Sequence, residues 1–173
     1  GGYANWMDAL SKGMSRYYVL RGFTDSQEFK DLASSYGINP GSLVLSQPAD
    51  LYPDITAFVT RFYKETLNRM PDEGGLNDWV NQLQKKSRTG ADVAYGFIFS
   101  DEFKAKNLNN DLFVKTLYSA FFGREADEGG YNDWMNRLAS GQTREQVLKG
   151  FLGSAEFRDL CIKYGINPRS EER

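Results

Sequence analysis

The sequence contains no histidine, a single cysteine and only five prolines. Without histidine, the usual general base for a serine or cysteine nucleophile and the commonest metal ligand are both missing. Cys161 lies between Leu160 and Ile162, a setting typical of a small buried hydrophobic residue, and one cysteine cannot form an internal disulfide. The sequence also lacks a phosphate-binding glycine loop and a serine elbow. We therefore predict that the chain is not an enzyme and requires no cofactor.

Clustered charge and long apolar runs are lacking as well. The 21 lysines and arginines are mixed among 23 aspartates and glutamates, which gives a formal net charge of −2. A nucleic-acid partner would need a clustered basic face, so we expect none. No apolar run approaches the roughly 20 residues that span a bilayer, so we expect no membrane insertion. With 40% hydrophobic and 25% charged residues over 173 positions, the composition is that of a globular protein.

The most informative feature present is an internal repeat. The stretch Asp72–Trp79 returns almost letter for letter as Asp127–Trp134, and residues 1–6 form one more copy without the leading acids. We number the three copies in chain order, so residues 1–6 belong to the first. Each tryptophan is followed 16 or 17 residues later by Gly-Phe, and then by Ser-x-Glu-Phe. The second and third copies are 55 residues apart, and the first and second are 73 apart. Self-similarity of this kind indicates tandem structural units.

Apolar periodicity predicts the type of unit. Residues 55–69 carry apolar side chains every three or four positions, which is helical spacing, and residues 113–124 repeat the pattern. No stretch shows the alternation typical of a strand. We predict an all-α fold of tandem helical repeats, with about four helices per repeat, an incomplete first repeat, and orthogonal helix packing around an aromatic core.

The predicted divisions follow the copies. Residues 1–38 form the C-terminal half of a first repeat, 39–54 a proline-containing linker, 55–109 a second repeat, 110–168 a third repeat, and 169–173 a charged tail. The first copy has no upstream helix, so we expect the chain to be part of a longer protein. We also expect its apolar face to be covered by the linker over residues 39–53, by another chain, or by residues outside this sequence.

Most of the recurring residues have a structural interpretation. The three tryptophans recur in register with leucines and are predicted to lie in the core. The serine of Ser-x-Glu-Phe is predicted to cap a helix, with its glutamate in the first turn. The aspartate before each Gly-Gly pair is predicted to cap a helix and to pair with the arginine three residues earlier. The residues in these roles are Trp6, Trp79, Trp134, Ser26, Ser100, Ser154, Glu28, Glu102, Glu156, Asp72, Asp127, Arg69 and Arg124.

The combined pattern is Phe-Val-x-x-Leu-Tyr-x-x-x-Phe-Gly-Arg-x-x-Asp-x-x-Gly-x-x-x-Trp, followed by Gly-Phe-x-x-Ser-x-Glu-Phe. It runs through residues 113–134 and 150–157 and resembles the domain-of-unknown-function family 4214. Residues 58–103 match as well, with Asn68 in place of the glycine before Arg69. The resemblance implies a non-catalytic, often repeated module of bacterial exported and surface proteins, joined to other domains. It therefore implies an extracellular or cell-surface location, and it assigns no functional residues.

Two sets of residues are candidates for ligand binding. Tyrosine rings offer flat apolar faces with a polar edge, which suits stacking against sugars, and the candidates are Tyr3, Tyr131, Tyr17 and Tyr18. The acidic turns concentrate oxygen atoms near glycines, so Asp72, Glu73, Asp127 and Glu128 are candidate calcium ligands. The spacing is not that of an EF-hand, and helix capping is the favoured interpretation of both aspartates.

Three functions remain open at this point. The leading hypothesis is a non-catalytic binding or assembly module of a larger bacterial secreted or cell-surface protein, with a protein or glycan partner at the cell surface and flanking domains in its parent. The alternative is a carbohydrate-binding module attached to an exported enzyme or adhesin. The third is a glycan-cleaving enzyme that uses carboxylates, which would need two acids facing each other across a cleft.

Overall fold

The computed structural model describes residues 2–169, and all regular structure in this range is helical. Three helices carry the first copy of the repeat, a short helix precedes the second copy, and four helices carry each of the other two. The helices are α1 Gly2–Ser11, α2 Arg16–Thr24, α3 Gln27–Ser35, α4 Pro48–Leu51, α5 Pro53–Leu67, α6 Glu73–Gln84, α7 Gly90–Ile98, α8 Asp101–Ala105, α9 Asn110–Phe122, α10 Glu128–Ala139, α11 Arg144–Leu152 and α12 Ala155–Lys163. The all-α prediction is confirmed. Gly1 and residues 170–173 of the predicted tail lie outside the described residues.

Side-chain caps fix where most of these helices begin. A capping oxygen accepts a hydrogen bond from one of the backbone N–H groups that the first helical turn leaves without a partner. The caps are Ser15, Ser26, Asp72, Thr89, Ser100, Asn109, Asp127, Thr143 and Ser154. Helix α5 has no side-chain cap: it begins at Pro53, which suits the first helical position, and Asp54 lies inside its first turn.

The long helices α5 and α9 end in the same way. Asn68 and Gly123 both adopt a left-handed backbone, with φ of 56° and 65°, and their N–H groups donate to Lys64 and Ser119 respectively. Such a residue closes a helix and turns the chain away from its axis. Helix α5 therefore ends at Leu67, two residues before the predicted end. Arg69 and Arg124 each lie two residues beyond the end of their helix, at equivalent positions.

The second and third copies share one hydrophobic core. Helix α5 packs against α9, and the ring centroids of Phe62 and Phe121 are 5.4 Å apart. Phe121 also contacts Phe157 at 4.9 Å, and Phe157 lies 6.4 Å from Phe58. These four rings are fully buried. Burying a side chain of this size contributes about 1.5–3 kcal/mol, so the two copies stabilise each other.

Polar contacts join the same two copies. Arg61 of α5 donates to the carbonyls of Ala120 and Phe121, which the end of α9 leaves without helical partners. Near the C-terminus, the N–H groups of Gly90 and Ala91 donate to the carbonyls of Asn167 and Pro168. An added Cβ at Gly90 would lie 2.7 Å from the Cys161 sulfur, so glycine is needed for this close approach.

Cys161 is buried, as the sequence predicts. Burial raises the pKa of its thiol to about 12, because the apolar surroundings disfavour a thiolate. The side chain therefore serves as a packing residue.

The first copy is attached through α4. Asp50 of α4 is buried and accepts hydrogen bonds from both the N–H and the hydroxyl of Ser15. Ala49 donates to Asn77 and accepts from Thr56, which holds α4 on the second copy. The linker predicted over residues 39–54 thus contains a short helix that anchors the first copy.

Several apolar residues in and near the first copy are exposed. Phe29 and Leu32 of α3 are spaced as one apolar face but are both exposed, and only Ala33 of that helix is buried. Val44 and Leu51 in the linker are exposed too, whereas Leu43 and Leu45 are partly buried. The first copy therefore has much less of a core than the other two.

Candidate functional site

Each copy holds its tryptophan against the glycine of Gly-Phe. The indole rings of Trp6, Trp79 and Trp134 are half-buried. An added Cβ at Gly150 would come within 2.2 Å of the Trp134 ring, and one at Gly22 within 2.1 Å of the Trp6 ring. The indole of Trp134 also stacks on Phe151 at 5.1 Å. The tryptophans are thus wedged against a neighbouring helix and do not form an open platform.

The second and third copies each contain an arginine–glutamate clasp. Arg69 donates two hydrogen bonds to Glu102, at 2.8 and 3.0 Å, and Arg124 donates two to Glu156, both at 2.8 Å. Each clasp joins the end of the first helix of a copy to the start of the last helix. The bidentate geometry gives both strength and orientation.

The clasp also has an electrostatic signature. The hydrogen bonds from Arg69 hold the pKa of Glu102 below its usual value, and the hydrogen bonds to Glu156 raise the pKa of Arg124. Each guanidinium lies over a tyrosine ring, Arg69 over Tyr63 at 5.1 Å and Arg124 over Tyr118 at 5.2 Å.

These pairs correct the predicted partners of the arginines. Arg69 pairs with Glu102, whereas the sequence predicted Asp72. Arg124 does reach Asp127, at 3.5 Å, but its closer partner is Glu156. The missed signal was the separation of arginine and glutamate, which is 33 residues in one copy and 32 in the other.

The first copy has the glutamate of this clasp without the arginine. Glu28 stands in the first turn of α3, as Glu156 does in α12. It is exposed and makes no ion pair with any residue in the range 2–169. The charge that the other two copies satisfy is therefore left unmatched on this surface.

The apolar residues beside Glu28 are exposed as well. Phe23 is 53% exposed, whereas its counterparts Phe97 and Phe151 are 4% and 1% exposed. Leu20 is 51% exposed, and its counterpart Leu148 is fully buried. We call Leu20, Phe23, Phe29 and Ile38 the open face; their counterparts Leu148, Phe151, Phe157 and Ile166 all belong to the buried core.

The linker leaves the open face uncovered. Leu45 lines a small pocket with Trp6, Tyr18 and Gly22 and is only partly buried, while Leu20 and Phe23 remain more than half exposed. Exposed apolar residues that are normally core residues mark an interaction surface. The open face is therefore the candidate functional site.

The acidic turns act as helix caps in this structure. Asp72 and Asp127 each accept the N–H of a glycine, Gly75 or Gly130, at 2.8 Å. The hydrogen bond from Gly130 lowers the pKa of Asp127. Glu73 and Glu128 are exposed. Within the described range, no three acidic, cysteine or histidine side chains converge as metal ligands would.

The four candidate tyrosines lie on three different helices. Tyr3 on α1 and Tyr17 on α2 are exposed, and Tyr18 is partly buried near Trp6. The hydroxyl of Tyr131 donates to Asp111 at 2.6 Å, and this bond raises the pKa of Tyr131. Tyr131 and Glu128 line one groove on the third copy, and none of the three first-copy tyrosines lines that groove.

A family model described as "Domain of unknown function (DUF4214)" matches residues 1–33, 51–107 and 94–161. The chain belongs to this family. The three DUF4214 matches contain the three tryptophans and the three Ser-x-Glu-Phe motifs, and they leave out most of the linker.

Comparison with curated proteins gave no match, and comparison with solved structures gave none either. Across residues 2–169, each helix is too short or too polar to cross a membrane.

Proposed function

We propose that this DUF4214 chain is a non-catalytic binding and assembly module of a larger bacterial secreted or cell-surface protein. The observation that carries the proposal is the open face, where four apolar side chains are exposed although their counterparts in the third copy are buried. Exposed apolar surface of this kind is most effectively removed from water by a protein partner. The location rests on the family resemblance.

Self-association through the open face tests the proposal. We expect sedimentation velocity to show a concentration-dependent larger species, because two open faces gain free energy when they cover each other. Phe23→Asp should abolish that species by placing a charge in the contact. The matched control must place the same charge at an exposed aromatic residue, because a buried one such as Phe113 would unfold the core. Tyr3→Asp meets this need, since Tyr3 on α1 is 80% exposed. A chain that stays monomeric at all concentrations would contradict assembly through this face.

Exposed tyrosines support a second candidate, a carbohydrate-binding module. Tyr3 is 80% exposed and Tyr17 is 43% exposed, so both rings are free to stack on a sugar. Retention on an insoluble polysaccharide, lost in the Tyr3→Ala and Tyr17→Ala variants and kept in Phe23→Asp, would favour this candidate. Turnover of a glycan by the purified chain would instead favour the carboxylate-based enzyme.

A further inference from the structure

The open face has the features that the other two copies use to hold a helix. In the second copy, Tyr63 of α5 packs edge-on against Phe97 at 4.6 Å. In the third copy, Tyr118 of α9 packs edge-on against Phe151 at 5.1 Å. Phe23 is the counterpart of these phenylalanines, and among residues 2–169 no tyrosine ring packs over it; its aromatic contact in this range is with Trp6.

A small pocket beside a glycine receives the tyrosine hydroxyl in both copies. An added Cβ at Gly75 would lie 2.9 Å from the Tyr63 oxygen, and one at Gly130 would lie 2.3 Å from the Tyr118 oxygen. Gly2 stands at the same distance before its tryptophan, and an added Cβ there would meet only the Trp6 ring, at 3.9 Å. The position that takes the tyrosine is therefore open in the first copy.

The spacing of the receiving residues is retained. From glycine to phenylalanine to glutamate, the steps are 21 and 5 residues for Gly2, Phe23 and Glu28. The corresponding steps are 21 and 5 for Gly130, Phe151 and Glu156. The receiving surface of the first copy thus presents the same three groups in the same order: a gap for a hydroxyl, an aromatic ring and a carboxylate.

We propose that the open face binds the first helix of a further DUF4214 unit. This inference rests on the proposed function and names the partner. The helix carries apolar or aromatic residues at positions 1, 2, 5, 6 and 10 and an arginine at position 12, as α5 and α9 do together with Arg69 and Arg124. Its tyrosine packs on Phe23 with the hydroxyl beside Gly2, and its arginine forms a two-bond clasp with Glu28.

The test places such a helix next to the open face. A copy of residues 109–128 is joined in front of Gly1, because Gly1 and Gly2 are the counterparts of Gly129 and Gly130 and the natural spacing is then kept. We expect amide exchange in α2 and α3 to slow by at least about tenfold, since a packed helix protects the amides beneath it. The control extension has the same composition in scrambled order and should give no protection.

Charge exchange tests the clasp separately. Arg124→Glu in the added segment, or Glu28→Arg in the chain, should each lower the melting temperature of the extended protein, and the two changes together should restore it. A synthetic peptide of residues 109–126, added in trans to the native chain, should bind about two- to fivefold more weakly to Glu28→Gln, as expected for an exposed ion pair. Glu65→Gln, which alters an exposed glutamate of α5, should leave the affinity unchanged.

The outcomes separate this inference from the proposed function. If the chain self-associates through Phe23 but the extension neither slows exchange nor responds to charge exchange, the proposed partner helix is wrong and the assembly function stands. If the extension protects α2 and α3 while the chain never associates, the proposed partner helix is supported and self-association through the open face is contradicted. If the scrambled extension also slowed amide exchange in α2 and α3, binding would not depend on the order of residues in the helix, and the proposed partner would be wrong.

Discussion

At the scale of single residues, glycine decides where the tryptophans lie. The glycine of each Gly-Phe motif lies inside a helix and packs against an indole ring. Gly150 receives Trp134, and Gly96 receives Trp79 with a wider clearance of 3.3 Å for an added Cβ. The glycine is thus required by packing and not by backbone conformation.

Gly150→Ala should destabilise the protein by about 1–3 kcal/mol, because the new methyl group would displace the Trp134 ring from a filled site. Gly96→Ala should cost less, given its wider clearance. Chemical denaturation followed by tryptophan fluorescence measures both.

The control for these substitutions is Gly129→Ala, at an exposed helical glycine whose added Cβ would meet only Asp127, at 3.7 Å. It should be neutral or stabilising by up to about 1 kcal/mol, since alanine suits a helix better than glycine. Equal losses at Gly150 and Gly129 would show that the indole contact is not what glycine protects.

At the scale of helices, the clasps decide how the first and last helices of a copy meet. The caps that start helices could be predicted from the sequence, because a cap acts on the N–H three residues ahead. The partner of Arg69 could not, because Asp72 and Glu102 are both acidic and only the packing of α8 beside the end of α5 brings Glu102 close.

The stability that the Arg69–Glu102 clasp adds should depend on pH. Arg69 lowers the pKa of Glu102 from 4.5, so the folded protein holds this proton less tightly than the unfolded chain. The contribution is therefore fully present above about pH 5 and is lost as the pH falls through the folded pKa. The difference in melting temperature between the native protein and Glu102→Gln should be constant from about pH 6 to 8 and shrink below 4.5.

Glu73→Gln is the matched control for this pH series. Glu73 is an exposed acid in the first turn of α6 and has no cationic partner in the described part of the chain. Its effect on the melting temperature should be small at every pH. If the difference in melting temperature between the native protein and Glu102→Gln did not change with pH, the charge of Glu102 would not contribute to the stability that the clasp adds.

At the scale of the whole molecule, the three copies are unequal. The second and third share one aromatic core built on α5 and α9, while the first is joined to them through α4, where Ser15 binds Asp50, and through Gly13, which packs on Thr60 of α5. The sequence shows no counterpart of α5 or α9 in the first copy, and from this we expected an apolar face covered by the linker, by another chain or by residues outside this sequence. The sequence left open whether the linker covers this face, and the structure shows that it does not.

Unequal burial predicts unequal local stability. Amides of α2 and α3 in the native chain should exchange at least about tenfold faster than those of α11 and α12, because few buried contacts oppose local opening. Hydrogen exchange with mass spectrometry measures this directly, and the related sequences of the copies provide an internal comparison. Equal protection in the first and third copies would contradict the assignment of the open face.

The sequence by itself determined the helical class, the repeat, most helix starts and the buried character of Cys161. These features depend on neighbours within a few positions or on the pattern of apolar residues, which a single sequence records. Only the tertiary structure decided that Arg69 binds Glu102, that α5 and α9 share a core, and that Phe23 is exposed while Phe151 is buried. Contacts of this kind join residues that are remote in the sequence, and so the same motif is core in one copy and surface in another.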